Sequence, residues 1–342
     1  MAELMKAVVI HEFGGPEVMH LEDVPVPTPA AGEVLLKVEA VSVNRTLDLA
    51  VRAGRYARTV TLPHVLGADP CGTIAAVGAG VSARKIGDRV ATSPRIKTAT
   101  ATATATEGPV MLGVQVWGGY AQYVVLPAAN THLLPEGLGF NAATIVARHA
   151  PLAFNLLTEK ARVAAGEWVL IMGAAGGLGS AGVQVAKYLG ANVIAAAGAD
   201  DRVAAAKSLG ADFGVNYRTT DLADEIGKIT GGRGVDVVFE NVGDADLFPK
   251  AFASIARNGR LVTAGAHAGG IVPFDLNQLY LNYVTIIGST AQTDADVERS
   301  LHTATQGHLD VLIDRVMPLS EAAAAHALVA ERAGVGKVVL KP

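Results

Sequence analysis

Residues 168–190 read WVLIMGAAGGLGSAGVQVAKYLG: an apolar run, a glycine-rich turn, then a spaced helical pattern. Glycines 176, 177 and 179 would let the backbone approach a pyrophosphate closely. The helix that follows would offer free N–H groups and the positive end of its dipole. That chemistry is dinucleotide binding, with Ala174, Ala175, Gly176, Gly177, Leu178 and Gly179 as the expected lining. Ala174 stands where the first glycine of a GxGxxG fingerprint would fall. A tight turn with no ligand is the competing reading. The motif follows a strand, opens a helix and starts an alternation of both, which favours the ligand.

The end of the next strand reports on the cofactor. An NAD site would place Asp or Glu there for the ribose 2′-OH. This chain has Ala196, Ala197 and Gly198, with Asp200 and Asp201 further on as caps of the next helix. Small neutral residues leave room for a 2′-phosphate, and Arg202 can bind it. NADPH is therefore expected over NADH, with Gly198, Arg202 and Tyr217 (in NYR, 216–218) at that end of the site. Arg148 and His149 form a second notable pair. Two cationic groups could bind a carboxylate or phosphate, or polarise a carbonyl. A structural arginine beside a hydrogen-bonded histidine is the plain alternative. Cys71 in DPCGT reads as a small buried residue, and Trp117 and Tyr120 as core aromatics.

The elements that must hold these groups follow from the patterning. Short β-branched runs cut by Gly and Pro fill the first 130 residues. A helical stretch is expected over 151–165, and then strands at 168–173, 192–197, 213–216, 235–240, 260–265 and 284–288 alternate with helices. Fully apolar strands in alternation with helices mean a parallel sheet covered on both faces. Six of them make the doubly wound dinucleotide fold. The expected division is 1–133 with 290–342 in one domain, and 134–289 in the other.

Composition narrows the class. The chain has 342 residues, enough for two domains. A net charge of −4 argues against phosphate neutralisation of nucleic acid. One cysteine excludes an internal disulfide and a multi-thiolate zinc site, and suits a reducing compartment such as the cytoplasm. The start, MAELMKAVVI, lacks the long apolar core of a signal peptide. Residues 168–186 carry no charge, but their five glycines and changing period speak against a membrane span. The one low-complexity tract is the Thr/Ala-rich 98–106.

These residues now support a resemblance. VSVNRTLDLAVRAGRY (41–56), LPHVLGADPCGTIAAVGAGV (62–81), GGYAQYVVLP (118–127), GAAGGLGSAGVQVAK (173–187), TGGRGVDVVFENVG (230–243) and GKVVLKP (336–342) occur in the order seen in medium-chain dehydrogenase/reductases. The chain resembles their zinc-independent quinone oxidoreductase branch over essentially its whole length. The resemblance implies an α/β protein: a GroES-like β-rich catalytic domain plus a doubly wound six-stranded Rossmann domain. It adds Asn241, Val242, Gly265 and Ala266 to the cofactor contacts, completed by Lys337. It also makes Asn44, Asp48 and Tyr56 the polar groups facing the acceptor; Arg148 and His149, at positions where many relatives carry apolar residues or Thr, are candidates added from their own chemistry. Asn44 and Asp48 are separated by three residues, where the pattern usually has two.

The same resemblance tests for metal. Zinc-dependent relatives carry a GHE motif, and here the histidine position is Ala68. No metal is expected. Alcohol oxidation without a Lewis acid lacks its main activator. A quinone, or the β-carbon of an activated alkene, needs only hydrogen-bond donors and a proton source to accept hydride. The expected function is therefore NADPH-dependent, zinc-independent reduction of a quinone or α,β-unsaturated carbonyl. The alternatives are an alcohol dehydrogenase of the same superfamily, or a nucleotide-binding protein with a structural or regulatory role. Expected partners are that small molecule and a second copy of the chain, paired through the edge strand 284–288, with no nucleic acid and no membrane.

Overall fold

The computed structural model describes residues 3–96, 110–332 and 334–342. The tract 98–106 lies outside the described residues. The chain divides into two compact units, one of residues 1–148 with 311–342, the other of 149–310.

The first unit is β-rich. Its strands are β1 (Leu4–Ile10), β2 (Met19–Pro25), β3 (Glu33–Ser42), β4 (His64–Val65), β5 (Cys71–Val77), β6 (Arg89–Thr92), β7 (Tyr123–Pro127) and β8 (Thr131–Leu133). A short helix α1 (Asp48–Arg52) follows β3, and α2 (Phe140–Phe154) leads out of the unit. β1 pairs antiparallel with β2 and β4, and β3 pairs with β5 and β7. Ile10, Leu36, Leu66, Ile74 and Leu126 are fully buried in one shared core.

The second unit is the parallel sheet. Its strands β9 (Trp168–Met172), β10 (Asn192–Ala197), β11 (Phe213–Asn216), β12 (Val235–Glu240), β13 (Ile255–Thr263) and β14 (Thr285–Gly288) lie in the order β11-β10-β9-β12-β13-β14. Helices α3 (Gly177–Tyr188), α4 (Asp200–Ser208), α5 (Leu222–Ile229), α6 (Leu247–Ala253), α7 (Leu276–Leu281) and α8 (Asp294–Thr305) belong to it. This is the doubly wound order, and its switch point lies between β9 and β12. Val169 to Met172 are all completely buried, as a strand covered on both faces requires. The chain then returns to the first unit as β15 (Ile313–Pro318), α9 (Ala322–Glu331) and β16 (Lys337–Lys341), the last pairing with β3.

Three expectations need correction. The helix expected from Pro151 begins at Phe140, with Pro151 in its interior, and continues as a π-helical turn over Asn155–Lys160. Proline marks a first helical turn only when the preceding pattern is not already helical. Residues 290–310 also stay with the parallel sheet. The Asn155 side chain donates to Asp296 at 3.2 Å, and Gln184 holds the backbone of Asp310 at 2.9 and 2.6 Å. The unit boundaries thus fall later than the 133/134 and 289/290 expected. Finally, Trp117 is not a core residue: it is 40% exposed, with its indole N–H on Pro63 O.

Candidate active site

The glycine turn sits at the carboxyl end of β9. Gly173, at φ +64°, makes the sharp turn that the fingerprint assigns one residue later. Ala174 is instead fully buried and gives its N–H to Ala196 O at 3.1 Å, so it supports the loop rather than facing a ligand. A Cβ on Gly179 would stand 2.2 Å from Gly173 O, so no side chain fits there. Gly176 caps α3, and Gly177, Leu178 and Gly179 open it, where N–H groups lack acceptors within the helix. Ala175 to Leu178 keep surface exposed. The His149 ring lies against Gly177, where a Cβ would come within 2.4 Å of its Nε2.

Two further loops close on this turn. The Asn241 side chain donates to Met172 O at 2.9 Å and lies beside Gly173. The Glu240 carboxylate accepts from Val242 N at 2.8 Å and Gly243 N at 3.0 Å, while burial raises its pKa. Ala268 N donates to Val242 O, and Gly265 lies beside Asn241 O. Asn241, Val242, Gly265 and Ala266 therefore gather with the glycine turn at the switch point, the place where such sheets bind nucleotides. At the end of β10, the Tyr217 ring covers Gly198. Asp200 and Asp201 do not cap α4. Ala199 is the cap residue, and Asp200 accepts from Asn216 Nδ2 at 2.7 Å. Arg202 lies in the first turn of α4, as expected.

The first unit holds a buried polar cluster built on the end of β3. Asn44 Nδ2 donates to Asp69 Oδ2 at 2.8 Å, and its Oδ1 accepts from Lys337 Nζ at 2.8 Å. The backbone N–H of Asn44 donates to Asp48 Oδ2 at 2.7 Å, so the three-residue spacing still brings the two together. Ser42 adds two donors to Asp69, at 3.0 and 2.6 Å. Lys337 also donates to Val43 O at 2.8 Å, so its ammonium serves this cluster. Burial, then the Asp69 charge, pushes Asp48 up to about 7, against the Asn44 N–H, Lys337 and Arg148. Burial brings Lys337 down to about 8.

A chain of hydrogen bonds that the sequence did not suggest ends on Asp48. Arg52 donates to His326 Nδ1 at 3.1 Å, which puts the ring proton on Nε2. That nitrogen faces the Tyr120 hydroxyl at 3.0 Å, and the hydroxyl donates to Asp48 Oδ2 at 3.4 Å. Burial and the Arg52 charge lower His326 to about 3, so it is neutral. Asp48 Oδ1 and Arg148 Nε, both buried, have no hydrogen-bond partner. Tyr56 is half-buried, and its hydroxyl donates to Met111 Sδ at 3.8 Å. Cys71 is buried, which raises its thiol well above the usual range. Arg148 and His149, adjacent in sequence, thus serve different places: Arg148 acts on Asp48 and Lys337, His149 packs under the glycine turn.

Residues 30–136 match the family described as alcohol dehydrogenase GroES-like domain, and residues 177–320 match zinc-binding dehydrogenase. The quinone oxidoreductase of Homo sapiens is 32% identical, with 99% of this chain and 98% of that protein covered. An NAD-dependent alcohol dehydrogenase of Sulfolobus acidocaldarius is also 32% identical, over 93% and 94%. The solved structure of AibC is 34% identical with a TM-score of 0.92, covering 99% of this chain and 96% of that one. The chain belongs to the medium-chain dehydrogenase/reductase superfamily, on its quinone oxidoreductase-like side. It is an NAD(P)H-dependent oxidoreductase.

The zinc in the description of one matching family finds no fit here. Ala68 is buried and offers no donor, and both amide atoms of Asn44 are committed. Arg148 brings positive charge to the same cluster. Among the described residues, no group of three His, Cys, Asp or Glu could hold a metal ion. No helix among them is long and apolar enough to cross a membrane. The dinucleotide, by contrast, fits: the turn at Gly173–Gly179 leaves backbone exposed where a pyrophosphate would lie.

Proposed function

We propose that this protein uses NADPH to reduce a quinone or an α,β-unsaturated carbonyl compound without zinc. The observation that carries it is the side-chain set around Asn44, which supplies hydrogen-bond donors and an acid and, among the described residues, belongs to no group of three His, Cys, Asp or Glu that could hold a metal. Bound reduced nicotinamide supplies the hydride. Ala175 to Gly179 and the loops at Asn241–Val242 and Gly265–Ala266 hold the cofactor, with His149 fixing the turn. Arg202 and Gly198 favour NADPH, because Asp200 is engaged by Asn216 and does not reach for a ribose hydroxyl. Tyr56 and Arg148 polarise the acceptor oxygen, and Asp48, titrating about 7, is a proton source at neutral pH. Asn44 and Lys337 hold Asp48 and Asp69 in place.

Support for a homodimer comes from the sheet edge. β14 is the last strand, and Leu276, Tyr280, Leu281, Tyr283 and Ile286 stand exposed on it and before it. A single buried thiol suits the cytoplasm. The test is NADPH oxidation against a panel of quinones and enones, reduction of NAD(P)+ by a panel of alcohols, and metal analysis of the same preparation. Turnover of quinones or enones by zinc-free protein is the expected result. Activity confined to alcohols, lost with chelator and restored by zinc, would favour the alcohol dehydrogenase reading that the Sulfolobus relative suggests.

A further inference from the structure

Two carboxylates, Asp69 and Asp48, share the cluster at the end of β3, and their oxygens are not treated alike. Asp69 Oδ1 accepts from Ser42 N at 3.0 Å, and its Oδ2 accepts from Ser42 Oγ at 2.6 Å and Asn44 Nδ2 at 2.8 Å. Asp48 Oδ2 accepts from Asn44 N at 2.7 Å and from the Tyr120 hydroxyl at 3.4 Å. Of these carboxylate oxygens only Asp48 Oδ1 has no donor, although the residue is completely buried. Donated hydrogen bonds stabilise the charged form of a carboxylate, and a buried oxygen without one favours the neutral acid. Asp69 is thus built to be ionised, and Asp48 to keep a proton.

The second donor on Oδ2 is aimed from a distance. Arg52, at the end of α1, donates to His326 Nδ1 at 3.1 Å, so Nε2 carries the ring proton and gives it to the Tyr120 oxygen at 3.0 Å. The hydroxyl proton is thereby turned to Asp48 Oδ2. Every bond runs one way, from Arg52 through His326 and Tyr120 to Asp48, and such a chain strengthens its last donor. We infer that His326, on α9, is a positioning residue: through Tyr120 it fills Asp48 Oδ2 and so assigns the transferable proton to Oδ1. The charge left when that proton departs is met by the Asn44 N–H and the Tyr120 hydroxyl. The other charges acting on Asp48 are Asp69, Lys337 of β16 and Arg148 of α2, none of them a member of this chain. This inference deepens, and rests on, the reading of Asp48 as the proton source of a quinone or enone reductase.

Infrared difference spectra read the proton without turnover. Wild type should lose a protonated-carboxyl C=O band as pH rises through about 7, and Asp48→Asn should lack that band. With the proton on Oδ1, the C=O is Oδ2, and its two donors lower the stretching frequency. Tyr120→Phe removes one donor and should raise the frequency. His326→Leu should raise it too, and gives the comparison if Tyr120→Phe fails to fold. His326→Gln, whose amide N–H can replace Nε2–H, should restore it. A band that ignores Tyr120→Phe and His326→Leu puts the proton on Oδ2 and overturns the assignment. Reduction of a small quinone by NADPH supplies the second readout. The alkaline limb of kcat should move up by about half a pH unit or more in His326→Leu and return in His326→Gln, with the quinone KM unchanged. A limb unmoved in His326→Leu overturns the positioning role. If the band behaves as expected while no quinone or enone is reduced, the proton assignment stands and the reductase reading falls. If reduction proceeds and wild type shows no such band, the reductase stands and the assignment falls.

Discussion

Asp48 shows how a single carboxylate can be made useful near neutrality. Its folded pKa of about 7 lies above the 3.8 of an ordinary aspartate. The folded state therefore holds the proton more tightly, and stability present below about pH 4 is lost as pH rises through 7. Asp48→Asn imitates the protonated acid, since its amide oxygen can still accept from Asn44 N and Tyr120. Urea unfolding should find the variant level with wild type near pH 4 and more stable by over about 1 kcal/mol at pH 8. Parallel pH profiles would show that Asp48 does not carry this titration. His326 runs the other way. Its pKa is depressed from 6.5 to about 3, so its contribution is complete above 6.5 and fades as pH falls toward 3. His326→Asn should flatten the acid limb between pH 6.5 and 4, where one proton accounts for about 1.4 kcal/mol per pH unit. An unchanged acid limb would count against a neutral buried His326. Neither effect was legible in the chain. Asp48 and His326 are joined through Tyr120, whose partner is 206 positions away, and no local spacing encodes that contact.

Elements were far more legible, for a physical reason. A parallel strand buried on both faces must be a continuous apolar run, so β9, β10 and β12 announce themselves in the sequence. The pairs β2 and β8, half exposed or only three residues long, carry no such signature. The glycine turn was legible in composition but not in register, because Gly173 rather than Ala174 takes the left-handed backbone. Its glycines also differ in kind. Gly179 is barred from a side chain by the Gly173 carbonyl, whereas a Cβ on Gly176 would meet only that oxygen, at 3.3 Å. Gly179→Ala should therefore lower the melting temperature through overpacking of about 1–3 kcal/mol. Gly176→Ala should melt near wild type yet bind NADPH at least about tenfold more weakly, since its methyl points where the pyrophosphate approaches. Equal loss of stability in both variants would place the two glycines in one structural role.

At the scale of the whole molecule, the exposed apolar surface before and along β14 is the feature that most needs company. Ile271 is 93% exposed, and Leu276, Tyr280, Leu281, Tyr283 and Ile286 follow. Monomeric proteins seldom keep so much apolar surface beside an open strand edge. Light scattering at micromolar concentration should give about 70 kDa, twice the 35.1 kDa of one chain. Ile286→Lys should shift the mass toward the monomer. A wild-type monomer at that concentration would leave the edge without an explanation.

The boundary between the compact units runs between Arg148 and His149, inside one continuous helix. Arg148 answers to the carboxylate cluster and His149 to the glycine turn. Recombination between relatives that cuts at the edge of the nucleotide-binding unit must therefore break the gene within a helical turn. A chimera joined at that codon would take its guanidinium from one parent and its imidazole from the other. Each half would then meet a neighbour selected for a different ancestor, and modular exchange would carry substrate recognition and cofactor seating to the progeny as separately inherited traits.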